Sequence, residues 1–298
     1  MPEPMEGRSA SAAPGSATDA GASRAAVPGA DPKDRFTDRV DSYVAHRPTY
    51  PPVVLDLLRD TGLLRDGAIV ADVGCGTGIS SALFLSAGHP VYGVEPNAAM
   101  RAAAERRFGS RPAPSASRPG VPDAVAGGTF YSVQGSAEAT TLPDASVDLV
   151  AAGQAFHWFD PPAARREFAR ILRPGGGVAL FWNTRRLAGS AFAEQYEALL
   201  LEYGTDYARV RHDRADAAAA AAFFAADSYH LAEFPSEQRL DFAGLAGRLL
   251  SSSYAPAAGH PRHADMLSAL RRLFDVCAVD GTVVMAYSTE VHAGRMSA

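Results

Sequence analysis

The sequence predicts an α/β protein: a mostly parallel sheet of seven strands with helices on both faces, and a helical lid above the sheet. Three observations carry this reading. Short apolar runs alternate with helix-patterned segments through the first two thirds of the chain, and the connections between them are short. One run, "VADVGCGTGIS" at residues 70–80, passes from β-branched residues straight into three glycines within five positions, the pattern of a strand turning sharply into a helix.

The apolar runs "AIVADV" (68–73), "PVYGVE" (90–95), "TFYSV" (129–133), "VDLVAA" (147–152) and "GVALFW" (177–182) read as buried strands. Between them, "GISSALFLSAG", "NAAMRAAAERRF" and "AARREFARIL" read as helices, with Asn97 as an N-cap and "RPGGG" (173–177) as a helix stop. Further on, "AFAEQYEALLLEYG" places Phe192, Tyr196, Leu199, Leu200 and Tyr203 on one helical stripe, and "HADMLSALRRLF" gives another helix. "SYHLAEF" (228–234) and "TVVMAYSTEV" (282–291) supply the last two strands.

Two stretches stand outside this pattern. Residues 1–33 are rich in Ala, Gly, Pro and Ser and cannot bury enough apolar surface to offset ordering, so a disordered tail is expected. The segment 109–128 has the same character and is expected to be a flexible insertion in a single domain spanning 34–298.

The 298 residues are 47% hydrophobic and 20% charged, as in ordinary globular proteins. A net charge of −5 and a pI near 5.9 give no electrostatic reason to expect nucleic acid or an anionic membrane as partner. Neither a basic-then-apolar leader nor an apolar run of membrane-spanning length is visible, and Cys75 sits inside the glycine turn where a disulfide would obstruct it, so a reducing, cytoplasmic compartment is expected. His212, His230, His260 and His263 show no metal-ligand spacing. The oligomeric state is not legible.

A glycine turn that opens a helix offers bare backbone, free N–H groups and a positive dipole end to a ligand, which serves dinucleotides or S-adenosylmethionine. In the dinucleotide pattern G-x-G-x-x-G the third glycine falls here on Ile79, and no Tyr-x-x-x-Lys pair supports a nicotinamide oxidoreductase. The observed spacing, Asp72 followed by Gly74, Gly76 and Gly78, resembles the first motif of class I S-adenosylmethionine-dependent methyltransferases, whose fold is Rossmann-like. A carboxylate such as Asp72 suits the cofactor's ammonium group. Glu95, 23 residues later at the end of "VYGVE", suits its ribose hydroxyls, or alternatively caps the helix that follows.

That resemblance extends over about residues 36–295. It implies S-adenosyl-L-methionine as cofactor, with the turn residues Cys75 and Thr77, Pro96 beside Glu95, and Ser136 and Ala137 of "QGSAEATTLPDASVDLV" in its binding site. "YVAHRPTYP" (43–51), "GQAFHWFD" (153–160), "ALFWN" (179–183) and "SSSYAP" (251–256) are similar to the small-molecule branch that includes trans-aconitate methyltransferase. This likeness implies Tyr43, Arg47 and Tyr50 in a lid (34–56), Gln154 in the floor of the cofactor site, and Tyr50, Trp158 and Tyr254 toward an acceptor pocket built by the variable region 184–265. His157, beyond a strand's carboxyl end, is the candidate catalytic residue, a proton acceptor or else a polar core histidine.

"FDPPAARREF" invites comparison with the D-P-P-Y signature of DNA amine methylation, but Ala163 occupies the aromatic position, and Asp160 with Pro161 reads as a helix N-cap. The expected function is therefore methyl transfer to a small molecule, most simply a carboxylate or other oxygen nucleophile. A protein of the same fold that binds the cofactor without transferring methyl is the alternative.

Overall fold

The computed structural model describes residues 46–109, 111–112, 128–207 and 217–296. The 1–33 tail, Tyr43 with the first part of the lid, most of the 109–128 insertion and residues 208–216 lie outside the described residues.

The strands are β1 (Val70–Val73), β2 (Val91–Val94), β3 (Arg111–Pro112), β4 (Phe130–Val133), β5 (Val147–Gly153), β6 (Leu172–Arg185), β7 (His230–Leu240) and β8 (Val283–Gly294). They form one sheet in the order β3-β4-β2-β1-β5-β6-β8-β7. Strands β1 to β6 pair in parallel, while β8 runs antiparallel to both of its neighbours, β6 and β7. The expected seven-stranded sheet is present. The two-residue β3, inside the segment read as an insertion, adds an eighth strand at one edge.

The helices are α1 (Val53–Asp60), α2 (Ile79–Ser86), α3 (Ala98–Phe108), α4 (Pro161–Ile171), α5 (Ala191–Tyr203), α6 (Ala217–Ala221), α7 (Phe242–Leu250) and α8 (His263–Cys277). Asn97 caps α3 by accepting the Ala99 and Met100 N–H groups, and Asp160 caps α4 by accepting that of Ala163. The helix stop at "RPGGG" is where α4 ends, but those residues already run in the extended start of β6.

Two apolar layers cover the sheet. Alternate residues of β1 feed them: Val70 joins Leu58, Phe84 and Phe181 on one face, Val73 joins Phe156, Phe168 and Trp182 on the other. Fully burying a side chain such as Phe84 or Phe168 is worth about 2–3 kcal/mol. A third cluster forms where α5, α7 and α8 pack together with β7 and β8, and Phe192, Tyr196, Leu199 and Leu200 of the expected stripe are buried in it.

α7 lies in the variable region 184–265, where the sequence analysis names no helix over these residues, and it contains Gly244 and Gly247. Gly247 has a packing cause: a Cβ there would lie 2.2 Å from the His46 ring. The chain just before α1 thus lies directly on α7, and the Arg47 guanidinium donates to the Ser251 carbonyl at 2.9 Å. Gln238 Nε2 in β7 donates to the His46 carbonyl at 3.1 Å. No helix among the described residues is long and apolar enough to cross a membrane.

Candidate cofactor and acceptor site

The glycine turn joins β1 to α2 at the carboxyl edge of the sheet, where open α/β sheets place their ligands. Gly74, Gly76 and Gly78 all have positive φ, at 69°, 56° and 81°. Their surroundings differ. A Cβ on Gly74 would meet that of Ala155 at 2.7 Å, and one on Gly78 would strike the Phe108 ring at 2.4 Å, whereas a Cβ on Gly76 would find nothing within 4 Å. The sequence suggests three glycines clearing room for a ligand, yet two serve internal packing and only Gly76 presents bare backbone to open space.

The two acids sit on opposite sides of this turn. Asp72 is completely buried beneath it, and its carboxylate accepts the Ser80 hydroxyl at 2.7 Å and the Ser81 hydroxyl at 2.6 Å. Burial raises its pKa to about 6, against the lowering effect of those two hydroxyls. The carboxylate has no exposed surface and is engaged from within, so in this structure it holds the turn against α2.

Glu95 faces the turn from the end of β2. Oε2 accepts the Gly76 N–H at 2.9 Å and Oε1 accepts that of Asn97 at 2.8 Å, so the binding and capping readings of the sequence coincide in one carboxylate. Burial raises its pKa, while both backbone donors counteract the rise. Pro96 beside it is half-buried. Past β4, Ser136 and Ala139 form a tight bridge that turns Ala137 inward, and the Glu95 N–H donates to the Val133 carbonyl, which sets this turn next to Glu95.

Thr77 is buried and its hydroxyl has no hydrogen-bond partner among the described residues, an orphan polar atom within the glycine turn. Cys75 is buried in the apolar layer, where burial pushes its thiol well above the usual range, so its side chain packs the core and only its backbone belongs to the turn. Cys75 and Cys277 are both free thiols.

Gln154 follows β5 with a φ of 56°, a left-handed conformation that a non-glycine residue adopts only under local constraint. The constraint is visible: its N–H donates to the Phe181 carbonyl at 2.9 Å, and its Oε1 accepts the Asn183 N–H at 2.5 Å. Asn183, which the sequence reading did not single out, also donates to the Thr49 carbonyl at 3.1 Å and accepts the Thr289 hydroxyl at 2.6 Å. Tyr50 packs edge-on against Phe181 at 4.6 Å, and a Cβ on Gly153 would lie 2.8 Å from its hydroxyl and 3.0 Å from Ser80 Cβ. Tyr50, Ser80 and the end of β5 therefore converge beside the glycine turn.

His157 and Trp158 lie in a short 3-10 turn after β5, their rings 4.7 Å apart, with Trp158 46% exposed at the rim. Tyr254 lies farther out, half-buried with its ring 4.9 Å from that of Tyr207, and its carbonyl accepts the Thr205 N–H. It packs within the α5–α7–α8 cluster. Among the described residues no His, Cys, Asp and Glu group could hold a metal ion.

Residues 71–180, from β1 into β6, match the family described as a methyltransferase domain. An uncharacterised methyltransferase of Mycobacterium tuberculosis is 37% identical over 150 residues, covering 50% of this chain and 52% of the relative. An uncharacterised methyltransferase of Schizosaccharomyces pombe is 32% identical over 151 residues, covering 50% of this chain and 53% of the relative. The chain thus spans about half the length of the curated relatives it matches. A solved structure from Anaeromyxobacter dehalogenans, named as a type II methyltransferase, superposes with a TM-score of 0.59 at 22% identity, over 84% of this chain and 98% of that one. Residues 71–180 thus resemble a methyltransferase domain, and the sheet that carries them shares the Rossmann-like α/β fold of the Anaeromyxobacter structure.

Proposed function

We propose that the chain transfers a methyl group from S-adenosyl-L-methionine to an oxygen nucleophile of a small molecule, with a carboxylate as the leading acceptor. One observation carries the cofactor assignment: Gly76 alone of the three turn glycines opens onto empty space, and its N–H is fixed by Glu95. The orphan Thr77 hydroxyl in the same turn fits a polar ligand there. When bound, the cofactor supplies an activated methyl group on a sulfonium leaving group.

The chain's own residues would then divide the work. Glu95 keeps carboxylate lone pairs for vicinal hydroxyls, because each backbone donor occupies only one. Ser136 and Ala137 flank the same end of the sheet for the base. Tyr50, Gln154 and Asn183 shape the wall between the turn and the acceptor side, and the His46–Arg47 segment clamped on α7 and β7 excludes water, which favours a charge-neutralising displacement. Trp158 at the rim and His157 beside it face the acceptor. An ionised carboxylate needs no proton removed, so His157 has an accepting role only for a protonated acceptor. The similarity of the lid and "GQAFHWFD" motifs to the trans-aconitate branch is what puts a carboxylate first. A cytoplasmic setting rests on the two free thiols.

The test is incubation with methyl-labelled cofactor and a panel of carboxylic acids, phenols and amines. Base-labile label in a carboxylic acid supports the reading. Label confined to phenols or amines removes the carboxylate assignment, and label in no acceptor despite cofactor binding favours the non-transferring alternative.

A further inference from the structure

Gln154, the residue that follows β5, holds a left-handed conformation that its surroundings must fix. The backbone of Asn183 in β6 does so, its N–H donating to Gln154 Oε1 at 2.5 Å. That bond also orients the Gln154 carboxamide, since Oε1 is its only acceptor and Nε2 its only donor.

The side chain of the same Asn183 has a second task. Nδ2 donates to the Thr49 carbonyl at 3.1 Å, while Oδ1 accepts the Thr289 hydroxyl at 2.6 Å. A carbonyl cannot donate, so Thr49 decides which end of the Asn183 amide faces it. Thr289 in β8 is fully buried and spends its one hydroxyl hydrogen on Asn183, so the 3.3 Å contact between the Ser236 and Thr289 hydroxyls runs with Ser236 of β7 as donor. A directed chain of donors thus crosses from β7 through β8 and β6 to residues 46–50. This segment brings Tyr50 edge-on against Phe181 and close to Ser80, beside the glycine turn. His46 and Arg47 fasten it farther back, on Gln238 and Ser251, and the Asn183 bond falls on the residue next to Tyr50.

We propose that Asn183 is a positioning residue for the bound ligand, acting through Thr49 and Gln154. Its side chain holds the 46–50 segment down beside the glycine turn, and its backbone holds the end of β5 in the strained turn. The identity of the ligand rests on the methyl-transfer reading, but the latch does not. With the segment held, water is kept from the turn and the Gln154 amide stands in one orientation, which suits a displacement that gains from desolvation and alignment. With Thr49 released, Tyr50 loses its adjoining anchor and a bound ligand leaves faster.

Asn183→Asp isolates the latch. It keeps the shape, the backbone N–H to Gln154 and the acceptor for Thr289, but sets a carboxylate oxygen against the Thr49 carbonyl, two acceptors with no hydrogen between them. Protonating the new carboxyl group restores a donor. Its pKa lies at or above about 4, because the facing carbonyl favours the neutral acid, so the release is present at neutral pH and fades as pH falls into that range. Asn183→Ala has no donor to regain at any pH. A residue that merely packed would give the two variants no such difference.

The experiment measures deuterium exchange of residues 46–58 in the full chain, and the dissociation rate of S-adenosylhomocysteine, for the parent and both variants. Each is compared with the parent at the same pH, near pH 7.5 and near pH 4.5. The expected result near pH 7.5 is faster exchange and about tenfold faster ligand release in both variants, the scale of one lost hydrogen bond that leaves its acceptor facing another. Near pH 4.5 Asn183→Asp should return toward the parent while Asn183→Ala does not. Parent-like exchange and release in Asn183→Ala overturn the proposal, a comparison that holds even if Asn183→Asp does not fold, and so does an Asn183→Asp effect that ignores pH. The expected exchange pattern in a parent that binds no S-adenosylhomocysteine would keep the latch and remove the methyl-transfer reading. S-adenosylhomocysteine binding with parent-like exchange and release in both variants would remove the latch alone.

Discussion

Glu95 Oε2 accepts the backbone N–H of Gly76 at 2.9 Å, tying the end of β2 to the middle of the glycine turn that closes β1. One carboxylate thereby sets the shape of the turn and presents acceptor sites at its mouth. Glu95→Gln keeps the size but replaces one carboxylate oxygen with an amide donor facing the Gly76 or Asn97 N–H. S-adenosylhomocysteine affinity should fall by about tenfold or more for the loss of charge-assisted bonds, with a smaller loss of thermal stability. Calorimetry and a melting curve on the same variant separate the two effects.

The glycine turn makes a second prediction by contrast. Gly74→Ala and Gly78→Ala each combine a left-handed backbone with a close approach, to Ala155 and to Phe108, and should cost more than the roughly 1–2 kcal/mol of the left-handed conformation alone. Gly76→Ala meets no neighbour and should cost only that, yet weaken the cofactor most per unit of lost stability. Urea denaturation beside binding calorimetry checks the ordering. Equal loss of affinity per unit of stability in all three would contradict it.

Asp72 predicts a pH dependence. Its folded pKa of about 6 lies above the ordinary carboxylate value, so between about pH 4 and 6 the folded state holds the proton more tightly than the unfolded chain. The stability contributed by this group is therefore present at low pH and lost as pH rises through that window, by an amount on the order of 2 kcal/mol. Asp72→Asn does not titrate. Its stability relative to the parent should rise from pH 4 to pH 6.5, as read by urea unfolding at each pH, and a flat difference would show that Asp72 ionises as an exposed carboxylate does.

His157 separates the acceptor classes. With a carboxylate acceptor, His157→Ala should retain much of its turnover, whereas a phenol or amine acceptor should lose about 10²-fold or more. Initial rates of label transfer with each class decide between them.

The buried parallel strands were legible because they are short apolar runs between turn signals, and the bounds of β1, β2, β4 and β5 fall within two residues of the runs that predicted them. The antiparallel end of the sheet was legible in kind but not in extent. β7 alternates exposed and half-buried residues along its length, so its polar positions through Arg239 did not read as strand. α7 was hidden by Gly247, whose missing side chain serves a contact with His46 about 200 residues away that no local pattern can announce. In the site, the turn, Asp72 and Glu95 stood out by spacing. Ser80, Ser81 and Asn183 did not, because a serine on a helix or an asparagine in a strand gains its role only from what the fold brings opposite it.

The measurement that tests the central claim most directly is calorimetric binding of S-adenosylmethionine, S-adenosylhomocysteine and NAD to the full chain, with Glu95→Ala and Asp72→Ala alongside. The account predicts micromolar binding of both sulfur ligands, weakened in both variants, and none of NAD. A folded chain that binds neither sulfur ligand, or that binds NAD in their place, would contradict the assignment of the glycine turn on which every other step rests.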